Sequence, residues 1–386
     1  MSVTAARGFR ACGVTAGLKA SGAPDVALVV SDGPDDAAAA VFTSNRVKAA
    51  PVLWSQQAVA DGRLRAVVLN SGGANACTGP DGFADTHRTA EWLAETLGIG
   101  SGDIAVCSTG LIGERLPMPM LLAGVTAAVA ALTDTDLGGA SAAEAIRTTD
   151  TVAKLAVASH PDGWTIGGMA KGAGMLAPGM ATMLCVLTTD ARVDARTLRA
   201  TLREATGSSF DRIDADGCMS TNDTVVLMAN GASQVSPVPE VFAELLDRVC
   251  LELAMQLLRD AEGATKEVSI EVTGAATEAD AIEVGRSIAR NNLLKCALFG
   301  NDPNWGRVLA AIGTTSAQFE PDLLDVAMNG VPVCRRGAAG ESRERVDLSG
   351  REISIVVDLH AGSRVATIWT NDLSHAYVEE NSAYSS

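Results

Sequence analysis

Three observations predict a mixed α/β fold of more than one domain. Short apolar runs of strand length alternate with stretches of helical periodicity. The chain is 47% hydrophobic but only 4% aromatic, and 38 of its 386 residues are glycine. The core is therefore built from Ala, Val, Leu, Ile and Met. Glycine at about a tenth, against the usual ~7%, implies many tight turns or close backbone approaches. At roughly 100–200 residues per domain, 386 residues make two or three. Ala27 to Val30, Ala39 to Thr43, Ala66 to Leu69 and Ile104 to Cys107 read as strands, because short apolar runs suit a buried strand, and the first, third and fourth end in polar or glycine-rich turns. Helical spacing predicts helices over Ala84 to Leu97 and Met118 to Leu132. From Trp164 to Thr189, two strand-like runs flank a glycine-rich bend, Gly172 to Gly179. Helix Asp194 to Thr206, strand Thr224 to Ala229, helix Pro239 to Glu262, strand Lys266 to Thr273 and helix Glu278 to Leu298 follow, then strands Ile353 to Leu359 and Val365 to Thr370. A polar Thr-Glu-Ala-Asp stretch predicts a domain boundary near Thr277.

Thirty Lys and Arg against 46 Asp and Glu give a net charge of −16, which argues against binding a nucleic-acid backbone. The longest apolar run, Met120 to Leu132, falls short of the ~20 residues that span a bilayer. No apolar segment links a basic start to a small-residue cleavage site, so no export signal is expected and a cytoplasmic location follows. The eight cysteines and four histidines are scattered without metal-ligand spacing, which predicts reduced thiols and no metal. Asp211, Asp214 and Asp216 lack the rest of a calcium loop. They and Asp302 to Arg307 are read as structural, the latter as a turn with a buried tryptophan.

Gly172 to Ala177 fits a loose dinucleotide-binding pattern, but Pro178 and Gly179 lead into another apolar run rather than the helix that such a site needs. Neither a phosphate-binding Gly-Lys-Ser/Thr loop nor a Gly-x-Ser-x-Gly elbow occurs. What remains is Lys171, a glycine bend, Ala181 and then Thr182 at the start of a strand. In the plainer reading Thr182 is a β-branched strand residue. In the sharper one the Ala181–Thr182 bond cuts itself, Thr182 becomes a nucleophile, and its new α-amino group acts as the base. An oxyanion formed there needs donors, which the turn Cys107 to Gly113 can supply from the Thr109 hydroxyl and the Gly110 amide.

Met169-Ala-Lys-Gly-Ala-Gly-Met-Leu-Ala-Pro178 followed by Met180 to Leu184 resembles the processing region of the ornithine acetyltransferase family. The resemblance extends through Asn70 to Gly79, Ser108 to Gly110, Thr148 to Asp150, Asp260 to Lys266, Asp302 to Arg307 and Glu380 to Ser386, in the family's order. It implies a layered αββα-type sandwich similar to N-terminal nucleophile hydrolases, over residues 1–277, with a smaller C-terminal α/β domain, 278–386, whose tail returns to the active site. It implies cleavage between Ala181 and Thr182 into two chains that associate as a heterotetramer of two of each. Acetyl would pass from N-acetylornithine to Thr182 and then to glutamate, giving ornithine and N-acetylglutamate. Thr109 and Gly110 would form the oxyanion hole, while Thr148, Lys171, Thr182, Glu262, Asn381 and Ser386 would contact substrate. A lysine suits an α-carboxylate and a glutamate suits an ammonium group. The chain ends in Ser386 where many relatives have threonine, keeping the hydroxyl but not the methyl. No tightly bound cofactor is expected. Acetyl-CoA as a second acetyl donor would leave a surface rather than a motif, so the sequence leaves its use open.

Three rivals stay open on sequence alone. One is an aminopeptidase or amidase on the same scaffold, with water as acceptor. Another is a thiolase-like acyltransferase using Cys107 or Cys77. The last is an amino-acid-binding or structural protein in which Thr182 is only a strand residue.

Overall fold

The computed structural model describes residues 2–177 and 183–383. Ala181, Thr182 and Ser386, singled out in the sequence, therefore lie outside the described residues. The chain divides into two compact units. The first comprises Met1–Ala173, Gly179–Asp211 and Met219–Leu257, and the second Gly174–Pro178, Arg212–Cys218 and Leu258–Ser386.

In the first unit, in chain order, are β1 (Phe9–Val14), β2 (Val26–Ser31), β3 (Ala37–Phe42), α1 (Ala50–Ala58), β4 (Ala66–Ser71), α2 (Gly79–Leu97), β5 (Ile104–Thr109), α3 (Met118–Ala131) and α4 (Asp136–Ala145). Then follow β6 (Lys154–Ser159), β7 (Thr165–Lys171), β8 (Leu184–Thr189), α5 (Ala195–Ser208), β9 (Thr224–Ala229) and α6 (Pro239–Arg259), whose last two residues fall in the second unit. The strands form a four-stranded sheet, β1-β2-β4-β5, and a five-stranded sheet, β3-β9-β8-β7-β6. β4 and β5 run parallel, as do β8 and β9, and the other neighbours are antiparallel.

Successive strand residues point to opposite faces, so a strand covered on both faces has to be apolar at every position. β2, β4 and β5 are such strands. Ala27, Val29, Val67, Leu69, Ala105 and Cys107 join Met169, Leu184, Val186, Val226 and Met228 of the other sheet in one core. Their neighbours Val26, Leu28, Val30, Ala66, Val68, Ile104 and Val106 pack instead with Ala90, Leu93 and Ala94 of α2 and Leu121, Val125 and Ala128 of α3. On the second sheet, a Cβ at Gly168 of β7 would lie 2.9 Å from Leu253 and 3.5 Å from Val249 of α6. Helix, sheet, sheet, helix is thus the layer order of this unit, the αββα sandwich expected.

The second unit contains β10 (Glu267–Ala275), α7 (Glu278–Ala289), α8 (Asn292–Phe299), α9 (Trp305–Ile312), β11 (Asp325–Met328), β12 (Val331–Arg335), β13 (Ala338–Ala339), β14 (Glu352–Asp358), β15 (Arg364–Asn371) and α10 (His375–Ala383). Its sheet has the order β13-β12-β11-β14-β10-β15. The boundary expected at Thr277 is corrected to Leu258, because β10 lies between β14 and β15 in that sheet and cannot be assigned elsewhere. The single helix expected from Glu278 to Leu298 is two. Thr277 caps the first in a reciprocal capping box with Asp280, and the Asn291 side chain accepts from the Leu294 amide to start the second. The helix expected to reach Glu262 ends at Arg259, which leaves Glu262 in the turn beyond it. Trp305 opens α9 and packs partly buried against the second unit's core.

Among the described residues no helix is long and apolar enough to cross a membrane, and no group of three or more metal-ligating side chains is found.

Candidate active site

β4 and β5 end side by side, and their two following turns are bolted together. The Gly72 and Gly73 amides both donate to the Thr109 carbonyl at 3.0 Å. Ser108 Oγ donates to Asn70 Oδ1 at 2.6 Å, and Asn222 Nδ2 donates to the carbonyls of Ala74 and Ser108 at 2.6 and 2.8 Å. The segment Asn70 to Asn75, ambiguous in sequence, is thus the brace of the Ser108 to Gly110 turn. In a trans peptide the N–H points opposite to the C=O. With the Thr109 carbonyl turned toward Gly72 and Gly73, the Gly110 amide faces the other way, and it has no hydrogen-bond partner among the described residues. Gly110 has φ +136°, and a Cβ there would collide with the backbone of Gly72 and Gly73, so only glycine fits.

Lys171, the last residue of β7 and 1% exposed, brings its ammonium to two of the residues singled out in sequence. Nζ donates to Thr109 Oγ1 at 3.2 Å and to Thr148 Oγ1 at 2.7 Å. A hydroxyl that accepts from an ammonium keeps its own hydrogen for another acceptor. The Thr109 hydroxyl and the Gly110 amide are therefore two donors on one turn, the composition an oxyanion hole requires.

Asp150 organises this corner. Its Oδ1 accepts from Lys154 Nζ and from the Gly172 amide, both at 2.6 Å, and its Oδ2 accepts from the Thr148 amide at 3.0 Å, with Lys171 Nζ 4.0 Å away. Lys154 and Asp150 form an ion pair with both side chains fully buried. Burial alone pushes the Asp150 carboxyl upward. The ammonium charges of Lys171 and Lys154, Lys154's hydrogen bond and the Thr148 amide outweigh it and hold Asp150 down at about 2. Asp150 is thus a carboxylate throughout the physiological range. The sequence reading missed the roles of Asp150 and Lys154. A Lys four residues after an Asp resembles a solvated pair, and nothing between them signals burial.

Glu262 and Asn381 belong to the second unit and meet there. Asn381, on α10, donates through Nδ2 to Glu262 Oε2 at 2.9 Å and to the Tyr377 carbonyl at 2.9 Å. Gly263, at φ +62°, lets the turn press against the Tyr377 backbone, where a Cβ would not fit. The tail that by default would be a frayed terminus is thus helical to Ala383 and hydrogen-bonded to Glu262. Gly174 lies against the same carboxylate, and a Cβ there would sit 2.5 Å from Glu262 Oε2. Gly174→Ala should therefore push the Glu262 carboxylate aside and raise KM several-fold with a smaller change in kcat. Steady-state kinetics checks this, and an unchanged KM would remove Glu262 from substrate binding.

Burial pushes the Cys107 thiol up to about 12, and Cys107 sits inside the inter-sheet core, so it does not have the character of a thiolate nucleophile. All eight cysteines are unpaired in this structure.

Comparison with known proteins identifies the family. The model of the ArgJ family matches residues 10–386. The arginine biosynthesis bifunctional protein ArgJ of Streptomyces avermitilis is 66% identical over 386 residues, all of both chains. A crystal structure of the protein of that name from Bacillus halodurans is 36% identical, covers 52% of this chain and 98% of its own, and has a TM-score of 0.50. Ornithine acetyltransferase of Mycobacterium tuberculosis, solved with ornithine, is 62% identical over 47% of this chain and 96% of its own, with a TM-score of 0.46. Full-length identity at this level, with Thr109, Gly110, Thr148 and Lys171 gathered at one corner, has one reading: this chain belongs to the ArgJ family.

Proposed function

We infer that the protein is a glutamate N-acetyltransferase of arginine biosynthesis, moving acetyl from N-acetylornithine to glutamate by way of an acetyl ester on Thr182. The observation that carries this reading is the corner where Lys171 holds the hydroxyls of Thr109 and Thr148 beside the outward-facing Gly110 amide. Acyl transfer through an ester passes twice through a tetrahedral oxyanion, once on loading and once on unloading. Two donors on a braced turn suit both passages. Buried Lys171 suits the α-carboxylate common to donor and acceptor, Glu262 suits an ammonium group, and Asn381 orients Glu262. Thr148 fixes the Lys171 ammonium, and the Ser386 hydroxyl completes the set implied by the resemblance.

Thr182 becomes available through cleavage after Ala181, and the freed α-amine then serves as base. A supporting feature is the length of the solved Bacillus halodurans chain, nearly all of which is matched by 52% of this one. That share is close to the 205 of 386 residues, 53%, from Thr182 onward. The two chains would remain together, as a heterotetramer of two of each. Acetyl-CoA serves as a second donor to Thr182 in this reading, with free CoA as the product that reports it.

The test is a denaturing gel with N-terminal sequencing, followed by acetyl trapping. The 39.6 kDa chain, shared as 181 and 205 of 386 residues, should give fragments of roughly 19 and 21 kDa, the larger beginning at Thr182. Brief exposure to N-acetylornithine without glutamate should add one acetyl group to the larger fragment alone. Adding glutamate should yield N-acetylglutamate, whereas free acetate would identify an amidase instead. An uncut, fully active chain would overturn the mechanism.

A further inference from the structure

One cation of the first unit has no part in the chemistry above, although it stands beside the oxyanion corner. Lys19 ends a loop folded around Asp25, whose buried carboxyl accepts from the amides of Ala16, Gly17, Leu18 and Lys19 at 2.5–3.1 Å. The Asp25 carbonyl accepts the Ser71 amide at 2.9 Å, and Leu18 abuts Gly72, where a Cβ would lie 3.0 Å from the Leu18 Cβ and carbonyl oxygen. The loop is therefore fixed to the same brace that holds the Thr109–Gly110 turn. From it the Lys19 ammonium donates to the Pro24 carbonyl at 2.8 Å and reaches the Ala145 carbonyl, at the end of α4, at 3.5 Å. Ser71 Oγ donates to that Ala145 carbonyl at 2.5 Å, and Thr148, the partner of Lys171, follows three residues later.

Capping α4 does not exhaust this side chain. An ammonium has three hydrogens, and the third of Lys19 has no partner among the described residues. The acids around it are committed elsewhere. Asp25 is taken up by the four loop amides, and Asp150 by Lys154 and the Gly172 and Thr148 amides. Burial lowers the Lys19 ammonium from its ordinary value, Asp25 raises it, the charges of Lys171 and Arg147 lower it further, and Asp150 lifts it a little. In a chain of net charge −16, cations thus converge on one corner, and a bound anion relieves their repulsion.

We propose that Lys19 binds the side-chain carboxylate of the acceptor glutamate while Lys171 takes its α-carboxylate, so that Lys19 determines which amino acid receives the acetyl group. The proposal rests on the reading of the protein as a glutamate N-acetyltransferase. Donor and acceptor share an α-carboxylate but end differently, N-acetylornithine in an ammonium and glutamate in a second carboxylate. A carboxylate such as Glu262 suits the first ending and repels the second. An enzyme that serves both in turn therefore needs a separate cation for the far end of the acceptor. Lys19 is half-buried, set in a pinned loop and held by carbonyls rather than by an acid, so its charge and one hydrogen remain for the ligand. Glutamine has the shape of glutamate without the charge and forfeits that pair.

Steady-state kinetics on the purified enzyme tests this, with N-acetylornithine as donor and glutamate or glutamine as acceptor, in wild type, Lys19→Gln and Lys19→Arg. In a ping-pong cycle kcat/KM for each substrate reports its own half-reaction. Wild type should favour glutamate over glutamine by at least about tenfold in kcat/KM, the worth of one charge-assisted hydrogen bond. Lys19→Gln keeps a donor for the Pro24 carbonyl but carries no charge. Its kcat/KM for glutamate should fall at least about tenfold, chiefly through KM, and that for N-acetylornithine far less, so its preference for glutamate over glutamine should shrink. Lys19→Arg keeps the charge and should recover part of the preference, a pattern that a cap on α4 does not produce. Equal losses for glutamate and N-acetylornithine in Lys19→Gln, or an unchanged preference, overturn the assignment. The wild-type comparison carries the test should Lys19→Gln not fold, because a wild type that acetylates glutamine as readily as glutamate overturns it without any variant. The two failures separate cleanly. A wild type that makes no N-acetylglutamate removes the reading of the protein as a glutamate N-acetyltransferase, whereas an active wild type with the preference intact in Lys19→Gln removes only the role of Lys19.

Discussion

Thr182→Ala is expected to give a single 39.6 kDa chain with no measurable acetyl transfer. Both losses follow from one missing oxygen. Without the hydroxyl there is no attack on the Ala181 carbonyl, so no cut occurs and no α-amine is freed. Without it there is also no atom to hold the acetyl group between donor and acceptor. Removing a nucleophile from a covalent mechanism costs orders of magnitude, here at least about 10³-fold in kcat. The oxyanion corner is built from Gly72, Gly73, Thr109 and Gly110, none of which depends on Thr182, so folding should be preserved. An intact variant with an unchanged melting temperature and no activity is the expected result. A variant that is uncut yet transfers acetyl at the wild-type rate would show that transfer is direct.

The second large effect falls on stability. Lys154→Met removes one member of a fully buried ion pair and leaves Asp150 without its closest cation. A buried pair broken from one side typically costs about 3–5 kcal/mol, because a charge remains in a medium that solvates it poorly. For a protein of this size that lowers the melting temperature by about 5 °C. The pH dependence has a definite sign. In the wild type the folded carboxyl is held at about 2, below its unfolded value, so its contribution is complete above the unfolded value and fades as pH falls toward 2. In the variant this window moves to higher pH, since one of the two ammonium groups holding Asp150 ionised has gone. Asp150→Asn added to Lys154→Met should restore part of the stability, because the stranded charge is neutralised. Thermal melts from pH 3 to neutrality check all three expectations, and equal melting of wild type and Lys154→Met would show that the pair contributes nothing.

Much of the fold was legible because its strands are covered on both faces. β2, β4 and β5 alternate between two apolar cores, so each reads as an unbroken apolar run. β1 and α4 escaped notice because their residues are small and mixed, FRACGV and DLGGASAAEA, and gain their place by packing against each other rather than by periodicity. The break between α7 and α8 was signalled by Asn291, a cap residue inside what reads as one helical stretch. The site divides in the same way. Thr109, Gly110, Thr148 and Lys171 stand in short motifs with local chemistry. Asp150 and Lys154 owe their importance to burial, and nothing in their immediate neighbours distinguishes a buried Asp from a solvated one.

The pairing of β7 with β8 has a kinetic consequence. Lys171 lies opposite Leu184 in the ladder, so the chain that leaves one strand re-enters the adjoining one, with Ala181 and Thr182 in the connection. In the five-stranded sheet, β8 and β9 lie between β7 on one side and β3 on the other, so the later polypeptide is interleaved with the earlier one. A cut in the connection leaves every strand pair in place, and the two pieces cannot part without unzipping the sheet. Once denatured, they have to find each other as separate molecules. With the cleavage proposed above, folding is first a unimolecular reaction and refolding afterwards a bimolecular one, with recovery that depends on concentration.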